Sequence, residues 1–552
     1  MKRTSRIVTV VLSVFVLLGS SQMFAQNNKK STSTAAPAKP APATKPAPAV
    51  KPSGPTKPAG PANPTIDQHS KSPEVHPPVH QPPPHIEPAH VQAKLPKSVR
   101  QQTLSGGNSR QMRQDGSVRA IHDESRHMDV VHGLNGNRRV MVARPDGTRI
   151  FAERGRPGYV EHSFRLHDHD FARRSYFYRG HLYSRFYRPY SYRGVRLDVY
   201  VPNRYYPFGF YGSVYGRWGQ VSYAWGWGGA PWAGYYGYYF APSAFYPSAS
   251  FWLTDYMLSQ DLAGDYQAAQ DSSGLGPAEA ASGGPEVTAD VKQRIANEVA
   301  GQIALEYNEA QQNAQNQNNP ENLDPDPKSS SIDRLLGDGK THVFVAGQDL
   351  DLVDTAGTEC AVSGGDVLEL AVPPPPDAAA ADLIVLASKG GKECQKSDTV
   401  TVAYADLQEM QNHMRETVDQ GFEELRTKQG TGGLPPAPAS AQQPYTDTTV
   451  AQFAPAQDPS AGTEISQQMQ QADAAEKEVT AQAGQAAGAL APVAPQAAPP
   501  AGTVNISVGQ SIGEVTAAMG APLRILNGQT KTIYVYKDMK ITFQGGKVAD
   551  VE

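Results

Sequence analysis

Between residues 101 and 217 the chain carries 20 arginines and no lysine. Over residues 175–200 they interleave with tyrosine, as SYFYRGHLYSRFYRPYSYRGVRLDVY. A guanidinium presents a planar fork that suits phosphate and carboxylate and also stacks on aromatic rings. Tyrosine and tryptophan faces lie well against sugar rings. Together these side chains suit an anionic cell-wall or outer-membrane polymer. The arginines expected to hold it are Arg179, Arg185, Arg188 and Arg193, and the rings are Tyr187, Tyr190, Tyr192, Trp225, Trp227 and Trp232. Nucleic acid would satisfy the same chemistry, but the export signal described below makes intracellular DNA or RNA an unsuitable partner.

Other chemistry-bearing motifs lead to less. Cys360 and Cys394 are the only cysteines and should pair in an oxidising compartment. His69, His76, His80, His85 and His90 sit in a proline-rich tract without the preorganisation a metal site needs. His167-Asp168-His169-Asp170 reads as a solvated loop before a strand. Gly337-Asp338-Gly339-Lys340-Thr341 mimics the end of a phosphate-binding loop, but Arg334 stands where the first glycine is required and a strand follows. No paired-carboxylate, Ser-His or metal-ligand constellation falls within one predicted folded domain, so the sequence assigns no catalytic residue, cofactor or metal and argues against an enzyme. An envelope hydrolase is the least favoured class.

The elements that must position these groups are unevenly distributed. The formal net charge is -4, with 33 Lys+Arg against 13 Asp+Glu in residues 1–217 and 17 against 41 in residues 218–552, or +20 and -24. A basic binding half joined to an acidic, separately folded half is the expectation, leaving open whether the halves have different partners or bind each other. Lys2, Arg3 and Arg6 precede an apolar run from Ile7 to Leu18, which reads as a signal peptide over residues 1–25, with an uncleaved anchor as the alternative. The protein is therefore expected in the periplasm or in association with the outer membrane and envelope. Residues 26–100 form an expected disordered arm, with Lys39, Lys45, Lys51 and Lys57 at a period of six, on one face of a polyproline II rod.

The expected fold is multi-module and mostly β, with a few helices and extensive disorder. Residues 101–175 carry hairpin signals at Asp115-Gly116, Asn135-Gly136 and Asp146-Gly147 and predict a small meander. Residues 176–270 form an aromatic region without a charge from Trp218 to Thr254, ending in a short helix over Phe251 to Leu262. Pro231, Pro242 and Pro247 exclude a membrane-spanning helix there. The region is expected to bind polymer, to sit peripherally on a membrane surface, or to pack against the preceding β-repeats. Residues 271–339 predict a helix with Val291, Ile295, Val299 and Ile303 on one stripe, then a Gln/Asn-rich linker. Residues 340–430 predict a small disulfide-bearing β barrel or sandwich closed by a helix from Tyr404 to Lys428. The stripe of that helix, Leu407, Met410, Met414, Val418, Phe422 and Leu425, suits core packing or a partner-facing surface. Residues 431–502 read as Ala/Pro/Gln-rich linker with one helix near Glu464 to Gln482.

The last module, residues 503–552, predicts α+β: Gly509-Gln510-Ser511-Ile512, a helix to Met519, Gly520-Ala521-Pro522, then strands over Thr532–Tyr536, Lys540–Phe543 and Lys547–Val551. It resembles the SmpA/OmlA (BamE-like) envelope family, which implies an envelope interaction module and, as the alternative function, an accessory role in outer-membrane protein assembly with an envelope protein as partner. Tyr223-Ala224-Trp225-Gly226-Trp227 resembles the YxWGxW-type signature of Tyr/Trp/Gly-rich exported bacterial proteins. The leading expectation is a non-enzymatic, exported envelope scaffold or binding protein.

Overall fold

The computed structural model describes residues 95–272, 286–315, 326–489 and 506–552, apart from 521, 529, 530 and 538. The expected signal peptide, nearly all of the Pro-rich arm with its histidine tract, and parts of the expected linkers lie outside the described residues. Among the described residues antiparallel sheets dominate the architecture, with four long helices.

Short β-runs separated by tight turns build a sheet of ten strands: β1 Arg100–Thr103, β2 Ser109–Met112, β3 Val118–Asp123, β4 Met128–His132, β5 Arg138–Ala143, β6 Arg149–Glu153, β7 Gly158–Leu166, β8 His169–Tyr178, β9 His181–Tyr192 and β10 Val195–Val201. Spatial order equals chain order, so the expected meander is longer than its hairpin signals suggested and runs into the aromatic region. Gly116, Gly136 and Gly147 take the positive φ that their turns require. His167-Asp168, Arg179-Gly180 and Arg193-Gly194 also have positive φ and form two-residue hairpin loops. The expected His-Asp loop is thus a tight turn, with His169 and Asp170 already in β8.

After β11 (Arg204–Tyr205) come α1 (Phe208–Tyr215), α2 (Pro231–Tyr235), α3 (Ala249–Ser272), α4 (Ala289–Gln315), α5 (Pro327–Ser330) and α6 (Ile332–Gly337). The stretch from Trp218 to Phe240 is mostly irregular and joins a core built with α3 and α4. Trp252 is fully buried and stacks on Trp225 and Tyr256, at 5.0 and 5.5 Å between ring centres. Aromatic packing is therefore what this segment does, but its main partners are helices that follow it. Among the described residues no helix is long and apolar enough to cross a membrane.

A second sheet comprises β12 Val343–Val345, β13 Leu350–Asp354, β14 Glu359–Val362, β15 Val367–Leu370, β16 Ala380–Ala387 and β17 Thr399–Ala403, in the order β12-β15-β16-β17-β13-β14. Its edge strands β12 and β14 do not pair, which corrects the barrel expectation: the sheet stays open, and α7 (Tyr404–Lys428) supplies cover through Leu407 and Met410. Cys360 and Cys394 are disulfide-bonded, tying β14 to the loop before β17. The apolar stripe of α7 is core, and Asn412 on the same helix closes the free edge of β10. Its amide donates to the Asp198 carbonyl at 2.7 Å and accepts from the Tyr200 N–H at 3.0 Å.

The segment expected to be linker is mostly structured. It holds β18 (Thr446–Asp447), which pairs with β11, then α8 (Thr449–Phe453) and α9 (Ala461–Ala489). Ala472, Ala475, Val479 and Ala483 of α9 are buried against Ile121, Val130, Val140, Ile150 and Val160 of the first sheet. Small side chains at helical spacing let the helix lie close on the sheet. The C-terminal module comprises α10 (Ile512–Met519), β19 (Arg524–Asn527), β20 (Thr532–Val535), β21 (Lys540–Gln544) and β22 (Lys547–Val551). Its four strands follow chain order, and its core contains only its own residues, centred on Val515, Ile541, Phe543 and Val548.

Candidate functional site

Where the first sheet meets α3 and α7, the chain leaves a cleft of about 860 Å³. Its floor is the pleated face of β7 to β10, with Tyr159, Arg174, Tyr176, Tyr183, Arg185 and Tyr200. One wall is the polar face of α7, with Glu409, His413, Glu416 and Gln420, and another comes from Asp261 and Gly264 of α3. Gly347 and Gln348, between β12 and β13, complete the lining. A side chain at Gly347 would collide with the His413 ring, so glycine is what lets that loop close over it.

The floor is a lattice of stacked rings and guanidiniums. Arg174 lies between Tyr159 and Tyr187, at 4.6 and 3.9 Å from their ring centres, and Tyr176 stacks on Tyr183 at 5.1 Å. Its guanidinium donates to Glu161 at 2.8 Å and to both oxygens of Glu409, at 2.9 and 3.1 Å. Arg185 and the Tyr187 hydroxyl both donate to Glu416. Arg156 bridges Asp265 and Asp349. His413 Nε2 lies 2.6 Å from Asp261 Oδ1.

Burial dominates the electrostatics. It pushes Asp349 up to about 7 against the pull of Arg156. It likewise pushes Asp419 up to about 6, although the Tyr200 hydroxyl donates to it at 2.6 Å and Arg415 lies nearby. Beneath the wall, burial holds Glu306 well above the usual carboxylate range, reinforced by the charge of Asp419. The tyrosines Tyr159 and Tyr176 are also pushed up by burial and stay neutral.

The ten residues expected to hold a polymer are dispersed. Arg185 and Tyr187 belong to the cleft lattice. Arg179 is at the cleft rim and donates to Gln267 at 2.7 Å. Arg193 lies in the β9–β10 turn and donates to the Tyr404 hydroxyl at 3.0 Å. The Tyr190 hydroxyl donates to Asp333 at 2.6 Å, and Tyr192 packs on Tyr404 with ring centres 5.2 Å apart. Arg188 has its guanidinium 5.8 Å from the Phe171 ring centre. Trp225, Trp227 and Trp232 stack in the aromatic core, and Trp225 Nε1 donates to the Tyr246 hydroxyl at 2.7 Å.

Elsewhere the arginines tie the basic half to the acidic half. Arg113 and Arg119 share Glu359, at 2.8 and 2.6 Å, while Arg138 and His132 meet Glu476 of α9 at 2.8 and 2.9 Å. The two halves therefore bind each other.

The acidic wall is what the sequence reading passed over. Glu409, His413, Glu416 and Gln420 recur every three or four residues, opposite the apolar stripe of α7, and that polar stripe was a usable signal. Asp261 carried no comparable mark. Among the described residues no group of three or more His, Cys, Asp or Glu side chains is placed to hold a metal. Comparison of the chain with protein-family models, curated proteins and solved structures gives no match.

Proposed function

We propose that this chain is a non-enzymatic, exported cell-envelope scaffold that holds an envelope polymer in the cleft between its first sheet and α7. The observation that carries this reading is the floor itself, where tyrosine rings and guanidiniums line a cleft of about 860 Å³. Aromatic faces with planar polar groups at their edges are suited to sugar rings and their substituents. The wall acids are bound to arginine or histidine, which favours binding over catalysis. The signal-peptide pattern at residues 1–25 supports export. Full-length mature protein should co-sediment with cell-wall or lipopolysaccharide preparations, and Tyr183→Ala should weaken retention about tenfold. Equal retention of the two proteins would sink the cleft as the binding place.

A second reading is an accessory role in outer-membrane protein assembly through residues 503–552. It is favoured by the family resemblance and by three exposed side chains, Leu523 just before the edge strand β19 at 75% and Ile525 and Leu526 within it at 48% and 42%. Unchanged porin levels after deletion of residues 503–552 would remove it.

A further inference from the structure

Resting on the cleft as the binding place, we infer that its ligand is an uncharged, polyhydroxylated chain, a neutral glycan stretch rather than a phosphate- or uronate-bearing one. Five arginines line the cleft (156, 174, 179, 185 and 204) against seven carboxylates (153, 261, 406, 409, 416, 419 and 423). Each of those arginines already meets an acid: Arg174 meets Glu409 and Glu161, Arg185 meets Glu416, Arg156 meets Asp265 and Asp349, Arg179 meets Asp271 and Arg204 meets Glu423. Arg179 and Arg204 pair with exposed acids, but at Arg174 and Arg185 an anionic ligand would compete with Glu409 and Glu416 for guanidiniums held in a low-dielectric wall.

Among the described residues, the buried polar atoms of the cleft lining still without partners are acceptors, with Arg156 Nε the one donor. Asp261 is 5% exposed; its Oδ1 is engaged by His413, and its Oδ2 is buried at the cleft without a hydrogen-bond partner. Asn203 Oδ1 and Glu153 Oε2 are likewise buried cleft-lining acceptors without a partner. Acceptors call for O–H or N–H donors. Sugar hydroxyls donate, whereas an ionised phosphate or carboxylate standing in place of one can only accept. Neutral hydroxyls can also accept from the Arg–Glu lattice without breaking it. The C–H faces of a sugar ring match the tyrosine floor, where Tyr183 is half-buried, stacks on Tyr176 and has the Arg185 guanidinium 5.3 Å from its ring centre.

The test is calorimetric titration of the full-length mature protein with three probes: a neutral linear glucan hexasaccharide, an oligogalacturonate of the same length, and a lysine-rich peptide. The glucan is expected to bind at least tenfold more tightly than the galacturonate, with affinity nearly constant from about 0.05 to about 0.5 M salt, because no net charge is neutralised. Asp261→Asn, which replaces one acceptor by a donor, should weaken the glucan about tenfold, while Lys340→Gln, at an exposed turn outside the cleft, should bind like the parent. A fluorescence melt of each variant confirms folding. Preference for the galacturonate, with salt-sensitive affinity, overturns the neutral ligand and leaves the polymer-binding reading standing. Preference for the lysine-rich peptide overturns it in favour of a protein partner. Binding of none of the three, together with no retention on envelope preparations, overturns both.

Discussion

In the seam between the two halves His132 meets Glu476 across 344 residues, whereas in the C-terminal module Ser511 caps a helix by exchanging hydrogen bonds with Glu514, three residues on. The seam is rich in arginine and carboxylate and draws its apolar cover from an alanine-faced helix. The module closes its core within residues 506–548. One region gains stability by joining distant segments of opposite charge, the other by agreement of neighbouring signals. A fault should therefore spread through the body in the first case and stay local in the second.

The largest expected effect comes from breaking the seam at a buried cation that holds two acids. Arg174 is 3% exposed, and Arg174→Ala strands Glu409 and leaves Glu161 to Arg149 alone, which should cost about 3–5 kcal/mol in a denaturant titration of the body. A loss below about 1 kcal/mol would show that the acids find water instead. Next comes the fit of α9. Ala475 is fully buried against the sheet, so Ala475→Leu should overpack that contact and cost about 1–3 kcal/mol. A stabilised Ala475→Leu would mean that the helix rides on the sheet loosely.

His122 gives the comparison a pH axis. Its hydrogen bond to Asp129, with Glu124 on the other ring nitrogen, raises it to about 9 against burial that opposes the charge. Because its folded value lies above the ordinary 6.5, its contribution is complete below about pH 6.5, declines as pH rises and is gone above about 9. The difference in stability between the parent and His122→Gln should shrink by about 1–2 kcal/mol over that window. A pH-independent difference would deny the histidine its charge. The smallest effect should be confined to the module: Ser511→Ala removes the reciprocal cap and should cost about 1 kcal/mol in the unfolding of residues 506–552, leaving the main transition unmoved. A shift in the main transition would mean that the module is not independent.

What could be read from the chain follows the same divide. The helix from Tyr404 to Lys428, the glycine turns at 116, 136 and 147 and the strands of the last module all carry their signals within a few residues. The disulfide was legible because only two cysteines exist. The cleft was not legible in that way. Arg174 and Glu409 are separated by 235 residues, and no local pattern on β8 announces that its guanidinium will meet an acid on α7. Over residues 431–502 alanine and glutamine suggested a linker around one helix near Glu464 to Gln482; that helix lies within α9, but composition did not show that its alanines are the face it lays on the sheet. The expected polymer-binding set was chemically apt, but most of its members act within the fold, and only Arg185, with Arg179 at the rim, lines the cleft, while Tyr187 is fully buried against Arg174.

The pairing of α9 with the first sheet also sets a schedule for folding. The meander closes by neighbouring hairpins and can form as soon as its strands emerge, but its cover is encoded more than 300 residues later, as the 344-residue separation of His132 and Glu476 records. At 5–20 residues per second, synthesis leaves roughly 20–70 s during which Val130, Val140 and Ile150 have no helix to meet. A ribosome-stalled chain ending before Ala461 should therefore bind an apolar dye that the finished protein excludes. The vulnerable form of this protein is the nascent chain, and a chaperone that acts on it needs to cover one face of one sheet.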